Sequence, residues 1–576
     1  MKSLIPFLKP YQKQLTLGPL AKLAEAVLEL LLPLLMARLM DDGVQNKDSA
    51  YIIRISLWMA GVAGAGFLCS LFCQYSASIA SQGFGTALRN ALYAHISTLP
   101  RRDAAKFGAA TLLNRQTADI SQLQLAVAML IRLVIRAPFL CIGGIVMAMT
   151  IDLKLSAAFF VCIPLFGIVL FVLVRKTLPL YRKAQGLLDK LSSTLRENLV
   201  GVRVVRAFGQ TKAETERFNA ANHNQAEAAL QAGKLSALLS PITLLIMNAT
   251  ILFVVWFGGI RINNGGMTQG QLVAFMSYVT QIMLALIVLS NLVVLFTRAA
   301  AAGKRVTEVL ETEPSMADGQ NETMQTTPDT PIIEFQNVSF RFEPGAEPAL
   351  DNISFCVTEG QTIGIVGGTG AGKSTLASLL LRFDDVTNGE IRVGGVAVQD
   401  WKLANLRSHI GLVPQKSLLF TGTIESNIRH GKPDATLEEI RQAADIAQAS
   451  VFIDRLPNGF DTPIQQGGRN LSGGQRQCVT IARALVRRPD ILILDDSASA
   501  LDYLTDAKLR ASLKTLHTKA TFIISQRISA VMNADKILVL DDGLLKGQGD
   551  HIALLRSCPI YREICLSQGI QEEADA

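Results

Sequence analysis

A chain of 576 residues leaves room for more than one domain. Its mean hydropathy of +0.31 and its 18% of charged residues make it too apolar for a soluble protein of this size. The net charge of +7 gathers in segments between apolar runs, which argues for anionic lipid headgroups and against nucleic acid as a partner.

Met1 to Gln14 is too polar for a cleavable signal peptide; with Phe7, Leu8 and Tyr11 set among Lys2, Lys9 and Lys13, it reads as a short helix along the inner membrane surface. The first candidate span, about Leu15 to Met40, is interrupted by Lys22, Glu25 and Glu29, which share one helix face. Lys22 and Glu25 are expected to pair with each other. Glu29, nearest mid-membrane, is the candidate for facing a central cavity and binding cationic groups of a substrate. Asp41 and Asp42 follow at the outer end, either sealing a gate or sitting in a solvated loop. Four stretches hold no Lys, Arg, Asp or Glu: Ile55 to Leu88, Leu155 to Val174, Leu235 to Ile260 and Ile262 to Thr297. Each reaches the roughly 20 residues that a helix needs to cross a bilayer. A further span runs from about Arg132 to Thr150, with Arg132 and Arg136 at its cytosolic end reaching for the headgroups. Six spans result.

Loop charge sets the orientation. Arg89, Arg101, Arg102, Lys106 and Arg115 lie between the second and third spans. Arg175, Lys176, Arg182, Lys183, Lys190, Arg196, Arg203 and Arg206 lie between the fourth and fifth, whereas the alternate loops hold at most two basic residues each. Both termini therefore fall on the cytosolic side of a plasma (inner) membrane. The two basic loops lack turn clusters and read as helices continuing into the cytosol, with tips near Phe107–Leu113 and Val202–Gly209. The eight cysteines show no metal-ligand spacing and read as packing residues. Glu313 to Pro331, rich in Thr, Pro, Asp, Asn and Gly, is a linker. The division is then 1–312 membrane domain, 313–331 linker and 332–576 a second domain.

That second domain carries the chemistry. Residues 367–375, GGTGAGKST, match G-x-x-x-x-G-K-[ST] between an apolar strand and a helix opening at Lys373. Gly367, Thr369, Gly370, Gly372 and Thr375 shape a turn whose N–H groups point at phosphate, Lys373 reaches the β- and γ-phosphates, and Ser374 ligands Mg²⁺. Ile491–Leu494 is a buried strand delivering Asp495 and Asp496 at its carboxyl end. Residues 471–475 read LSGGQ, residues 499–502 SALD and residues 526–529 QRIS, with Gln415 in a V-P-Q segment.

These motifs, in this order, resemble the ATP-binding cassette of ABC transporters, and six spans followed by one cassette resemble the exporter-type half-transporters over essentially the whole chain. The resemblance implies an all-α transmembrane domain followed by an α/β P-loop domain that uses ATP and Mg²⁺. It implies Mg²⁺ contacts from Ser374, Gln415 and Asp495, and stacking of adenine on Phe342, where the family usually has Tyr; a core aromatic is the alternative for Phe342. Ser472, Gly473, Gly474 and Gln475 would face the ATP of a second cassette, and Asp502 would lie in the loop joining the two sites. Two positions depart from the pattern: Asp496 stands where the family has a catalytic Glu, and Gln526 where it has His. Cys478 stands where Arg is common, with no functional account. The implied protein is one half of a heterodimer with a second half-transporter, exporting amphipathic, drug-like or lipid-like compounds, its own site slow and its LSGGQ serving the partner. The alternatives are a siderophore-type importer on the same fold, a homodimeric exporter, and a membrane ATPase acting as a sensor.

Overall fold

In a computed structural model, residues 2–570 are described except 326–329 and 344. Residues 326–329 of the expected linker thus lie outside the described residues. The chain divides into two compact units: Met1–Ser97 with Gly108–Thr312, and Thr98–Phe107 with Glu313–Ala576.

The first unit is helical. A 3₁₀ segment, Lys2–Tyr11, leads directly into α1, Gln12–Arg38, in place of a separate surface helix. There follow α2 (Ser49–Thr98), α3 (Arg101–Phe107, grouped with the second unit), α4 (Ala109–Asn114), α5 (Ile120–Arg132), α6 (Arg136–Ile151), α7 (Leu153–Val200), α8 (Val202–Ala207), α9 (Thr211–Ala237), α10 (Leu239–Asn263) and α11 (Gln269–Leu310). Five helical stretches among the described residues are long and apolar enough to cross a membrane: α2, Ala109–Ile151, α7, Thr211–Asn263 and α11. The 27-residue α1 is long enough as well, but its charges keep it out of that set. At 50 and 48 residues, α2 and α7 run far beyond the roughly 20 that a bilayer requires.

Lys22, Glu25 and Glu29 of α1 are paired inside the unit. Lys22 Nζ lies 2.6 Å from Glu25 Oε2, as expected. Glu29 does not present a free carboxylate: Arg136 Nη2 lies 2.7 Å from its Oε2. This also corrects the expectation for Arg136, which turns inward to a carboxylate instead of outward to headgroups. The helix breaks at Leu133–Ile135, so Arg132 ends α5 and Arg136 opens α6 on a new axis. In apolar surroundings a guanidinium is best held by an anion with which it can share hydrogen bonds. Asp41 and Asp42 are not plain loop residues either. Asp41 accepts from Gly270 N at 2.7 Å and Thr268 Oγ1 at 2.5 Å, binding the N-terminus of α11, and Asp42 accepts from Tyr51 Oη at 3.1 Å.

In the second unit, β1 (Ile333–Phe340), β2 (Leu350–Val357), β4 (Asn388–Val393) and β5 (Val396–Ala397) form an antiparallel sheet in the order β2-β1-β4-β5, with β3 being Gln361–Gly367. The main sheet joins β3 to β6 (Ile410–Val413), β9 (Ile491–Asp495), β10 (Ala520–Ile524), β11 (Lys536–Asp541) and β12 (Leu544–Gly549), in the order β12-β11-β3-β10-β9-β6. A small hairpin pairs β7 (Gly422–Thr423) with β8 (Pro463–Ile464). All pairings in the main sheet are parallel except that of β12 with β11. Ile491–Asp495 is buried at every position, as a strand covered on both faces requires.

The described part of 313–331 does not hang free. Gly319 N donates to Trp401 O at 3.1 Å, Asp318 Oδ1 accepts from Leu403 N at 2.7 Å, and Glu322 pairs with Lys402 at 2.8 Å. The tip grouped with this unit is Thr98–Phe107, earlier than the expected Phe107–Leu113. Its Asp103, 1% exposed, bonds Lys106 Nζ and Ser315 N at 2.8 Å each.

Candidate nucleotide site

Four parallel strands end at one edge of the main sheet, and each delivers one of the expected site residues from its carboxyl end. The glycine turn follows β3, Gln415 follows β6, Asp495 and Asp496 stand at the end of β9, and Gln526 follows β10. Such an edge is where open α/β sheets take ligands. A cleft of about 340 Å³ there is lined by Phe342, Thr369–Thr375, Gln415, Asp495, Asp496 and Gln526 among others.

The turn after β3 runs into the helix Lys373–Leu380. Gly370 and Gly372 have φ of +86° and +94°, which side chains disfavour, and a Cβ at Gly372 would fall 2.6 Å from Ala349 O. Lys373 Nζ donates to Gly367 O at 2.8 Å and Gly368 O at 2.5 Å, so its ammonium is held over the turn. Burial lowers the Lys373 pKa from the ordinary lysine value, while the Asp495 and Asp496 charges oppose that shift. Ser374 Oγ donates to Asp495 Oδ1 at 3.1 Å. Burial pushes the Asp495 carboxyl above the ordinary range, with Asp496 adding to the shift and Ser374 and Lys373 opposing it.

Magnesium takes hard oxygen donors and keeps several waters. The Ser374 hydroxyl, the Asp495 carboxylate and the Gln415 amide oxygen are donors of that kind around one cleft, so these residues fit the ion. When bound, it would neutralise phosphate charge.

Phe342 is 54% exposed and meets Phe340 edge-on at 4.9 Å, so it is not a core aromatic and leaves a ring face free for stacking. Asp496 has φ +46°, its N–H donates to Ile524 O at 2.8 Å, and Ser499 Oγ donates to its carbonyl at 2.9 Å. The backbone that carries its carboxylate is therefore fixed.

Neither Ser472–Gln475 nor Asp502 lines this cleft. Ser472 is the N-cap of the helix Gly473–Leu485: its Oγ accepts from Gln475 N at 3.2 Å, and Gln475 Oε1 accepts from Ser472 N at 2.9 Å. At this helix start Ser472 and Gly473 are exposed and Gly474 is half-buried. Asp502 caps the helix Tyr503–Leu513, both carboxylate oxygens 2.9 Å from Thr505 donors, and these bonds lower its pKa. Cys478 sits in an apolar cluster, where burial pushes its thiol up to about 11. Such a thiol is inert. Two further contacts had no sequence signal: Ser417 Oγ on the buried Gln477, and Gln568 on the backbone beside Gln526.

The comparisons with known proteins agree with this geometry. Residues 15–286 match the ABC transporter transmembrane region, and residues 350–499 match the ABC transporter family. An uncharacterised ABC transporter ATP-binding protein of Mycobacterium tuberculosis is 40% identical over 568 residues, 98% of this chain and 97% of that one. The chain belongs to the ABC transporter family. Within it, the ATP-dependent lipid A-core flippase of Haemophilus influenzae is 31% identical, covering 98% of this chain and 96% of that protein. The structure of a bacterial Atm1-family ABC exporter with ATP bound superposes with a TM-score of 0.79 at 26% identity, each chain covered to 99%. The chain is a multi-pass membrane half-transporter of the exporter type, fusing a helical transmembrane domain to an ATP-hydrolysing cassette.

Proposed function

We propose that this half-transporter exports amphipathic, drug-like or lipid-like compounds across the plasma membrane, as one half of a heterodimer whose own nucleotide site is the slow one. The observation that carries the reading is the pair Asp496 and Gln526 in the cleft beside Lys373. Hydrolysis needs a carboxylate poised on water and a group at the γ-phosphate. Asp496 is one methylene shorter than Glu, and the neutral Gln526 amide has no titratable imidazole.

In this reading Lys373 and the turn bind the phosphates, Phe342 stacks on the base, and Ser374, Asp495 and Gln415 hold Mg²⁺. Ser472–Gln475, placed away from the chain's own cleft on an exposed helix start, complete the partner's site. Both termini and the cassette lie in the cytosol, and α1 is the sixth span, its Lys22, Glu25 and Glu29 paired within the unit. The named relatives that flip or export favour export over the importer alternative. Glu29 is neutralised by Arg136, so the substrate meets that pair, not a bare carboxylate.

The test is a pair of substitutions in the purified complex. Lys373→Ala is expected to abolish ATP binding at this chain's site. Gly474→Asp, whose Cβ would lie 3.1 Å from Ala500 O and whose carboxylate would bring negative charge to this helix start, is expected to cut partner-site turnover by orders of magnitude. Partner turnover unchanged by Gly474→Asp would refute the composite site.

A further inference from the structure

Between the end of β10 at Ile524 and the short helix Ile528–Val531, the chain crosses the cleft edge without a strand ladder. Gln526 lies in this stretch, and a residue 42 positions further on holds it. Gln568 Nε2 donates to the Gln526 carbonyl at 2.8 Å, and Gln568 Oε1 accepts from Ile528 N at 2.8 Å. One planar amide thus pairs with both peptide groups that flank Arg527, much as a neighbouring strand would. Two other N–H groups of the stretch are also taken: Arg527 N by Ser525 Oγ at 3.0 Å, and Ser525 N by Ile365 O at 3.0 Å.

Gln568 is itself fixed from beneath. The helix Pro559–Ser567 buries Tyr561 and Cys565 in a cluster with Val366, Ile528 and Val531. The helix closes in a left-handed turn at Gly569, φ +72°, with Gln568 N and Ile570 N both donating to Cys565 O at 3.1 Å. Ile570 packs on the same cluster. The amide is therefore aimed at 526–528 by a packed helix end.

We propose that Gln568 is a positioning residue for the nucleotide site, its amide holding the Gln526–Ile528 backbone so that the Gln526 side chain faces the cleft beside Lys373 and Asp496. This rests on the reading of that cleft as the ATP site, with Gln526 at the γ-phosphate. The clamp then acts on the γ-phosphate end of the ligand and not on the base or the β-phosphate. Its loss is expected to weaken ATP binding while sparing ADP.

The experiment measures equilibrium binding of radiolabelled ATP and ADP, each with Mg²⁺, to the full-length chain in detergent. Gln568→Met keeps the length of the side chain and removes both hydrogen bonds; Gln568→Ala removes the side chain. Each is expected to lower ATP affinity about three- to tenfold and to change ADP affinity less than about twofold. Gln526→Ala should show the same selective loss, and adding Gln568→Met to it should bring no further loss. An unchanged ATP-to-ADP ratio in Gln568→Met overturns the proposal. So does a parallel fall in both affinities, which would mark Gln568 as a general support of the fold. Lys373→Ala serves as the separate control: if it leaves both nucleotides bound, the site reading itself fails, whatever Gln568 does.

Discussion

Replacing Asp496 by Glu is expected to raise hydrolysis at this chain's own site. The added methylene extends the carboxylate by more than about 1 Å, and a misplacement of that size can cost about a hundredfold, or about 2.7 kcal/mol of barrier. The backbone cannot absorb the change, because Asp496 N is bonded to Ile524 O and its carbonyl to Ser499 Oγ. The longer side chain must therefore advance into the cleft. Against this stands the left-handed backbone at Asp496, φ +46°, which Asp tolerates better than Glu; the strain is on the order of 1 kcal/mol and falls on stability, not on the barrier. The net expectation is a rise of ten- to a hundredfold in that site's rate. The assay is single-turnover phosphate release by the complex, with the catalytic carboxylate of the partner removed so that only this site reports. In the otherwise unmodified complex, Asp496→Asn should change turnover by less than about twofold. If Asp496→Glu brings no rise and Asp496→Asn abolishes turnover, Asp496 is already the working base and the slow-site reasoning is wrong.

The Glu29–Arg136 pair, with side chains 31% and 26% exposed, yields a second prediction. Glu29→Gln should lower stability by about 1–2 kcal/mol, discounted from the several kcal/mol of a fully buried pair, and Glu29→Gln with Arg136→Met should recover most of it; thermal unfolding in detergent measures both. A neutral Glu29→Gln that stops transport of cations alone would instead restore Glu29 as a cation-binding group. A third concerns Asp103: burial pushes its pKa up, but bonds from Lys106 and Ser315 outweigh this and hold it below the ordinary carboxylate value. The folded value lies below the unfolded one, so the contribution is full above about pH 4 and is lost as pH falls through the folded value. Amide protection in Thr98–Phe107, measured relative to the intrinsic exchange rate at each pH, should therefore fall at acid pH in the wild type, and already at pH 7 in Asp103→Asn. A fourth is topological: in a cysteine-free background, an impermeant thiol reagent added outside should label cysteines at Gln45 and Asn263 and miss one at Gln320. Gly319 is unsuitable for the inner probe, because a Cβ there would lie 2.1 Å from Asp400 O. Labelling of Gln320 from outside would invert the proposed orientation.

What the sequence made legible and what it hid divide along a physical line. The phosphate turn and Asp495 could be read because each sits at a strand end whose local pattern dictates its backbone, Gln526 was marked only by the family resemblance, and parallel pairing then brings β3, β6, β9 and β10 to one edge. The cytosolic reach of α2 and α7 was legible too, because the sequence beyond their apolar runs is mostly helix-forming and lacks turn clusters. Pairings between distant segments were not. Arg136 lies 107 residues from Glu29, and an apolar run opening with two arginines says nothing about the break at Leu133–Ile135 that turns one of them inward. The docking of Gly319 on Trp401 was masked because composition marks a segment as irregular without saying what it touches. Gln568 is the sharpest case: an exposed glutamine matches no motif, yet it meets a stretch of the cleft edge that lies outside helix and strand. Motifs report the groups that meet the ligand, since chemistry restricts their type and spacing. The groups that hold those in place are chosen only by geometry, so any amide of the right reach could serve, and the sequence carries no mark of which one does.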